Sequence, residues 1–189
     1  MDKIFPEKIH NYFELIRLNK PIGFMLLLWP CLFSLAYLET SQQYLLSYYI
    51  IFTIGSVIMR SAGCIINDLI DQDIDSKIER TATRPLASKK ITNFNAIIFL
   101  FVLLTIGLLI LLQFKTETVL VGLLCTPLII LYPLMKRITF WPQLFLGIIF
   151  NWGIIICSVE FFGTITKEYL ILYLSCVLWT IGYDTIYAY

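Results

Sequence analysis

The residues able to do chemistry in this sequence gather just behind an apolar run, in the stretch NDLIDQDIDSKIERTATRPLASKK from Asn67 to Lys90. Arg60, Asn67, Asp71 and Asp75 are spaced seven, four and four residues apart. On a helix of about 3.6 residues per turn they stay within roughly a 100° arc. Two carboxylates and an amide oxygen in a row are hard oxygen donors of the kind Mg²⁺ accepts, together with water and substrate phosphates. Without a cation such a row repels itself. Asp68 and Asp73 are expected to point elsewhere and to be solvated. Lys77, Arg80 and Arg84 follow at spacings of three and four, which would suit a diphosphate already bridged by Mg²⁺. The plainer reading of these cations is that they only fix topology, which is the role expected of Lys89 and Lys90. Lys136 and Arg137 form a second short basic turn, which either binds the same anion or only fixes topology.

Arg60 is the odder residue, because it lies about two helical turns inside an apolar segment. A charge there is costly and marks a functional site by default. A substrate carboxylate would give its guanidinium a bidentate partner. The competing reading is a structural ion pair or a side chain that snorkels to the surface.

These residues must be positioned by membrane helices. The 189 residues are 59% hydrophobic and 14% charged, against about a quarter charged in soluble globules. Stretches long enough to cross a hydrocarbon core of about 30 Å lie near 21–38, 47–66, 95–113, 118–135, 142–162 and 169–189. All six are expected to be helical, since lipid satisfies no backbone groups. Residues 1–20 repeat apolar side chains at helical spacing, and an interfacial amphipathic helix is expected there. Eleven of the fourteen Lys and Arg fall before span one, between spans two and three, or between spans four and five. By the positive-inside rule these segments are cytoplasmic. A bacterial cytoplasmic (inner) membrane is the expected location, because the first twenty residues are too acidic for a transit peptide.

Other classes of function are set aside by the same composition. A net charge of +1 gives no electrostatic footprint for nucleic acid. The five Cys all stand in apolar segments without a CxxC pair and read as small buried residues. His10 is the one histidine, so a His-based metal site is excluded. A charged mouth on an apolar bundle fits an amphiphile with a phosphorylated head and a long hydrocarbon tail. Tyr132, Trp152, Tyr183 and Tyr187 near that mouth could stabilise a developing carbocation, although belt and packing roles explain most such aromatics.

NDLIDQDID resembles the first Asp-rich motif, NDxxDxxxD, of the UbiA-type intramembrane prenyltransferases. RLNKPIGFMLLLWP, RSAGCIINDLIDQDIDSKIERTATRPLAS, LYPLMKRITFWPQLFLGIIFNWGI and GYDTIYAY are similar to the 4-hydroxybenzoate polyprenyltransferase branch, and together they run over essentially the whole chain. The resemblance implies an all-α polytopic transmembrane bundle around a central cavity. It implies an Mg²⁺-dependent transfer of a polyprenyl group from polyprenyl diphosphate to the ring of 4-hydroxybenzoate, as in ubiquinone biosynthesis. Asn67, Asp71 and Asp75 would hold the metal. Lys77, Arg80, Arg84, Lys136 and Arg137 would hold the diphosphate, and Arg60 would meet the acceptor's carboxylate. Asp71, Asp75 and Asp184 would be the catalytic carboxylates, with the role of Asp184 left open between phenol polarisation and a local hydrogen bond.

The resemblance also carries a departure. Relatives have about nine spans of ~20 residues each and a second Asp-rich motif beyond the YDT segment, where this sequence stops at Tyr189. A domain over 21–189 lacking that C-terminal part is expected to have little or no activity alone. A separately encoded C-terminal half could complete it. The alternatives are a different aromatic acceptor, a six-span transporter or a non-catalytic membrane remnant.

Overall fold

The structure is a computed structural model that describes residues 6–38 and 42–188; of 42–44, 136, 137, 187 and 188 it describes the backbone alone. Eight helices follow one another: α1 (Glu7–Leu15), α2 (Ile22–Ala36), α3 (Gln42–Asp75), α4 (Asn93–Leu111), α5 (Thr116–Ile138), α6 (Pro142–Phe150), α7 (Trp152–Phe162) and α8 (Lys167–Ala188). No strand occurs among the described residues. The fold is the expected all-helical membrane bundle. Five helical stretches are long and apolar enough to cross a bilayer, while α2 is a shorter apolar helix of 15 residues. At 1.5 Å per residue α2 measures about 22 Å, less than the hydrocarbon core.

The apolar run 142–162 is one span by length but two helices by structure, because Asn151 breaks it. The Asn151 side chain donates to the Gly147 carbonyl at 2.7 Å and to Thr180 Oγ1 of α8 at 3.0 Å. Side-chain bonding of this sort competes with the backbone ladder. Gly163 then ends α7 in the left-handed conformation at φ 71°, which costs glycine little.

α3 is the backbone of the bundle. Its 34 residues measure about 51 Å, so it outruns the hydrocarbon core by several turns. It packs against α2 on one flank and α4 on the other. Two apolar clusters hold the assembly. One joins Cys31, Leu35 and Phe52 to Ile154, Cys157, Tyr169 and Tyr173. The other joins Ala62 and Ile65 to Leu15 of α1, Leu86 of the loop after α3, and Ala96 and Leu103 of α4. α1 is therefore docked on the bundle through Leu15, and Tyr12 meets Phe99 edge-on with ring centroids 5.2 Å apart. All five Cys are free, four of them buried, as expected for small apolar residues.

The 142–162 segment and the far end of α3 are tied together by Glu160. This carboxylate is 3% exposed and accepts from Tyr48 Oη at 2.9 Å, Thr118 Oγ1 at 2.8 Å and the Lys115 backbone N–H at 3.0 Å. The last two donors belong to the start of α5, where a helix N-terminus favours negative charge.

Candidate active site

The loop from Ser76 to Ile91 does not leave α3; it folds back over the helix end in successive turns. Thr81 Oγ1 donates to the Asp75 carbonyl at 3.0 Å, and Gln72 Nε2 donates to the Leu86 carbonyl at 3.1 Å. Leu86, fully buried against Ile65 and Ala62, anchors the loop. The return brings Arg84 back onto the carboxylates. Its Nη1 lies 2.5 Å from Asp75 Oδ2 and 3.3 Å from Asp68 Oδ1. Arg17, just after α1, donates to the same Asp68 oxygen at 2.5 Å. The result is an alternating row, Arg17, Asp68, Arg84, Asp75.

Asp68 thus corrects the expectation of a solvated side chain: it is 2% exposed. The physical reason is visible on the helix itself. At about 100° per residue, Asp68 falls only about 20° beyond Asp75, so it extends the row instead of leaving it. Asp73 is on the opposite face and exposed, as expected. Arg17 adopts φ 55°, a left-handed conformation that is uncommon outside glycine, and this turn carries its side chain from α1 to α3.

Two cavities meet at this row. The larger, about 1080 Å³, runs among all the membrane helices, with Arg17, Arg60, Asn67, Asp68, Arg80 and Arg84 at its charged end and Leu104, Leu108, Phe114 and Ile156 along its apolar length. The smaller, about 310 Å³, is lined by Asn67, Asp71, Asp75, Arg80 and Arg84 with three neighbours. Arg60 and Asp184 both line the larger cavity, from α3 and α8. Lys77 is exposed and lines neither. The side chains of Lys136 and Arg137, and that of Tyr187, lie outside the described residues. Among the aromatics, Trp152 donates Nε1 to the Val121 carbonyl at 3.0 Å, which is a packing role at the cavity wall. Tyr183 stacks on Trp179 at 5.5 Å.

The donor set can be tested for a divalent cation on its chemistry. Among the described residues no three His, Cys, Asp or Glu side chains converge as a ready-made metal site. Asn67, Asp71 and Asp75 do share the wall of the smaller cavity. Mg²⁺ keeps several waters and is held by one or two carboxylates plus substrate phosphates. An oxygen row open to a cavity with two arginines fits that pattern, with Asp75 in this structure engaged by Arg84.

Sequence reasoning missed two contributors. Asp68 could have been found from the helical wheel. Arg17 carries no local signal, because it reaches the row from a distant part of the chain.

A bundle with this cavity and this charged end has known counterparts. The chain belongs to the UbiA prenyltransferase family, whose model matches residues 27–189. It is 50% identical to the mitochondrial 4-hydroxybenzoate polyprenyltransferase of Drosophila pseudoobscura pseudoobscura, over 94% of this chain and 45% of that protein. It is 46% identical to the protein of the same name from Arabidopsis thaliana, over 100% of this chain and 47% of the relative. Among solved structures, an apo UbiA homolog from Aeropyrum pernix K1 superposes with a TM-score of 0.68 at 25% identity, covering 97% of this chain and 64% of the other. A digeranylgeranylglyceryl phosphate synthase shares the fold at a TM-score of 0.69 and 22% identity, with coverage of 95% and 62%. The chain spans about half the length of the named relatives it matches.

The relatives overturn one expectation. They are mitochondrial proteins, which does not agree with a bacterial cytoplasmic membrane. Charge bias reports which side of a membrane a loop occupies and not which membrane it is, and a chain spanning part of its relatives says nothing about their leaders.

Proposed function

We propose that this chain forms the part of a 4-hydroxybenzoate polyprenyltransferase that binds both substrates, polyprenyl diphosphate and 4-hydroxybenzoate. The observation that carries the reading is the junction of an oxygen-donor row with two arginines at the charged end of a long apolar cavity. The names of the relatives, 42–50% identical over nearly all of this chain, support the acceptor.

In this reading Asn67, Asp71 and Asp75 hold Mg²⁺, and Arg80 and Arg84 bind the diphosphate oxygens with Lys77, Lys136 and Arg137 beside them. Bound Mg²⁺ would neutralise charge on the leaving diphosphate. The chain's own arginines do the same from the other side, as donors already placed before charge develops. Arg60 orients the acceptor through its carboxylate, so that the ring carbon ortho to the hydroxyl faces the allylic carbon. The allylic C–O bond breaks with its electron pair on the diphosphate, the ring carbon forms the new C–C bond, and its proton leaves to water. Asp184, on the cavity wall, is assigned to polarising the phenol. The apolar length of the cavity takes the hydrocarbon tail, residues 1–20 lie at the membrane interface, and 21–189 form the transmembrane part. A separately encoded C-terminal partner is compatible with this arrangement.

The test is a membrane assay of this chain with Mg²⁺, a polyprenyl diphosphate and radiolabelled 4-hydroxybenzoate, beside an Asp71→Ala sample. Binding of both substrates, with Mg²⁺-dependent diphosphate binding lost in Asp71→Ala, and little or no prenylated product from the chain alone is the expected outcome. Binding of neither substrate by the chain would defeat the reading.

A further inference from the structure

Arg60 carries its cation into the apolar part of α3, and no described carboxylate forms an ion pair with it. Two uncharged neighbours hold it instead. A Cβ built on Gly23 of α2 would lie 2.7 Å from Arg60 Nε, 3.0 Å from Nη2 and 3.3 Å from Cζ. The guanidinium therefore rests against the α2 backbone in space that any other residue would fill. Arg60 Cζ also stands 5.7 Å from the centre of the Phe150 ring of α6, within the range of a cation–π contact. All three residues line the larger cavity.

This arrangement fixes the direction of a cation without neutralising it. An arginine paired with a carboxylate has its fork occupied, whereas one held by a backbone and a ring face keeps its donors for a ligand. We infer that Gly23 and Phe150 are positioning residues for Arg60, and that together they set the preference of the cavity for a carboxylated acceptor over an uncharged one. The inference rests on the reading of Arg60 as the group that meets the acceptor's carboxylate.

A Cβ at position 23 would meet only the far end of a flexible side chain, so α2 and α3 keep their packing and the fork alone is displaced. A shift of about 1 Å in a positioned group can cost on the order of a hundred-fold. Losing one of the two charge-assisted bonds costs roughly ten-fold.

The experiment is equilibrium binding of radiolabelled 4-hydroxybenzoate and of the uncharged 4-hydroxybenzamide to the full chain in lipid nanodiscs, with Mg²⁺ and a polyprenyl thiodiphosphate present. The unaltered chain is expected to prefer the acid. Gly23→Ala should weaken acid binding roughly ten-fold and leave the amide unchanged, and Phe150→Leu should act in the same direction by less. In an Arg60→Gln background Gly23→Ala should have no further effect, because it acts through Arg60. A Gly23→Ala chain that keeps the preference for the acid, loses both ligands alike, or acts equally without Arg60 overturns the inference, while loss of the preference in Arg60→Gln alone preserves the reading of Arg60. An unaltered chain that does not distinguish acid from amide, or an Arg60→Gln chain that still does, defeats both.

Discussion

Arg17 and Asp68, 51 positions apart in sequence, meet at 2.5 Å and fasten α1 to the long helix α3. Asp68 is almost fully enclosed while the Arg17 side chain keeps 26% of its surface. The pair therefore combines a desolvated acceptor with a donor that still reaches water. Arg84 shares the same oxygen, so one carboxylate balances two cations from two different segments.

Replacing Asp68 by Ala leaves both arginines without that partner. The expected cost is about 1–3 kcal/mol, below the figure for a fully buried ion pair because both arginines are partly solvated. Thermal unfolding in detergent measures it. Proteolysis should find the segment around Arg17 first, since α1 is then held to the bundle by the apolar contacts of Leu15 and Tyr12 without the ion pair. An unchanged cleavage pattern would show that Asp68 does not secure α1.

Asp71 and Asp73 are two residues apart on opposite faces of α3. Asp71→Ala should reduce Mg²⁺-dependent diphosphate binding at least about 100-fold, more than losing an outer-shell partner of a metal usually costs. Asp73→Ala, an exposed residue away from both cavities, should leave binding unaltered. Equal losses in the two variants would mean that overall charge, and not the row, attracts the anion.

Glu160 makes a stability prediction at the opposite end of the bundle. Glu160→Ala removes the acceptor for Tyr48, Thr118 and the Lys115 N–H together. Stranding those donors should cost about 3 kcal/mol. Glu160→Gln keeps one acceptor oxygen and should cost about half of that. Chemical unfolding of the two variants side by side gives the ratio.

At Gly147 a Cβ would meet the Val177 carbonyl at 3.1 Å and its Cγ1 at 3.2 Å. Here the neighbour is backbone, so α6 and α8 must separate. Gly147→Ala should cost about 1 kcal/mol and Gly147→Val about 3 kcal/mol, within the usual range for overpacking. The melting temperature should fall in that order.

Much of this was legible in the sequence, and the reasons are local. Apolar runs of span length, basic residues bunched at alternate loops and the seven-four-four spacing from Arg60 are properties of short stretches. They led correctly to a helical bundle and to one charged end. The break at Asn151 was not legible, because the run 142–162 is long and apolar enough for a single span despite its few polar residues, and one of the two hydrogen bonds that Asn151 donates at the break goes to Thr180 on another helix. Nor was the return of Arg84 onto Asp75, which depends on Leu86 finding a hole between α3 and α4. Asp68 was legible and misread: its angle on α3 was available, but a carboxylate at a membrane edge was assigned to water before its cation was known. The neighbours of Arg60 lie on two helices distant in sequence, and only the folded bundle relates them.

The break at Asn151 has a consequence for Phe150, the residue immediately before it. An interrupted span is often free to flex, but this elbow is bolted at two points, to Gly147 within α6 and to Thr180 on α8. Opening its angle would strand an amide in a dry interior. The joint is thereby fastened to α8 as well as to α6, and Phe150, whose ring faces Arg60, sits one residue from that attachment.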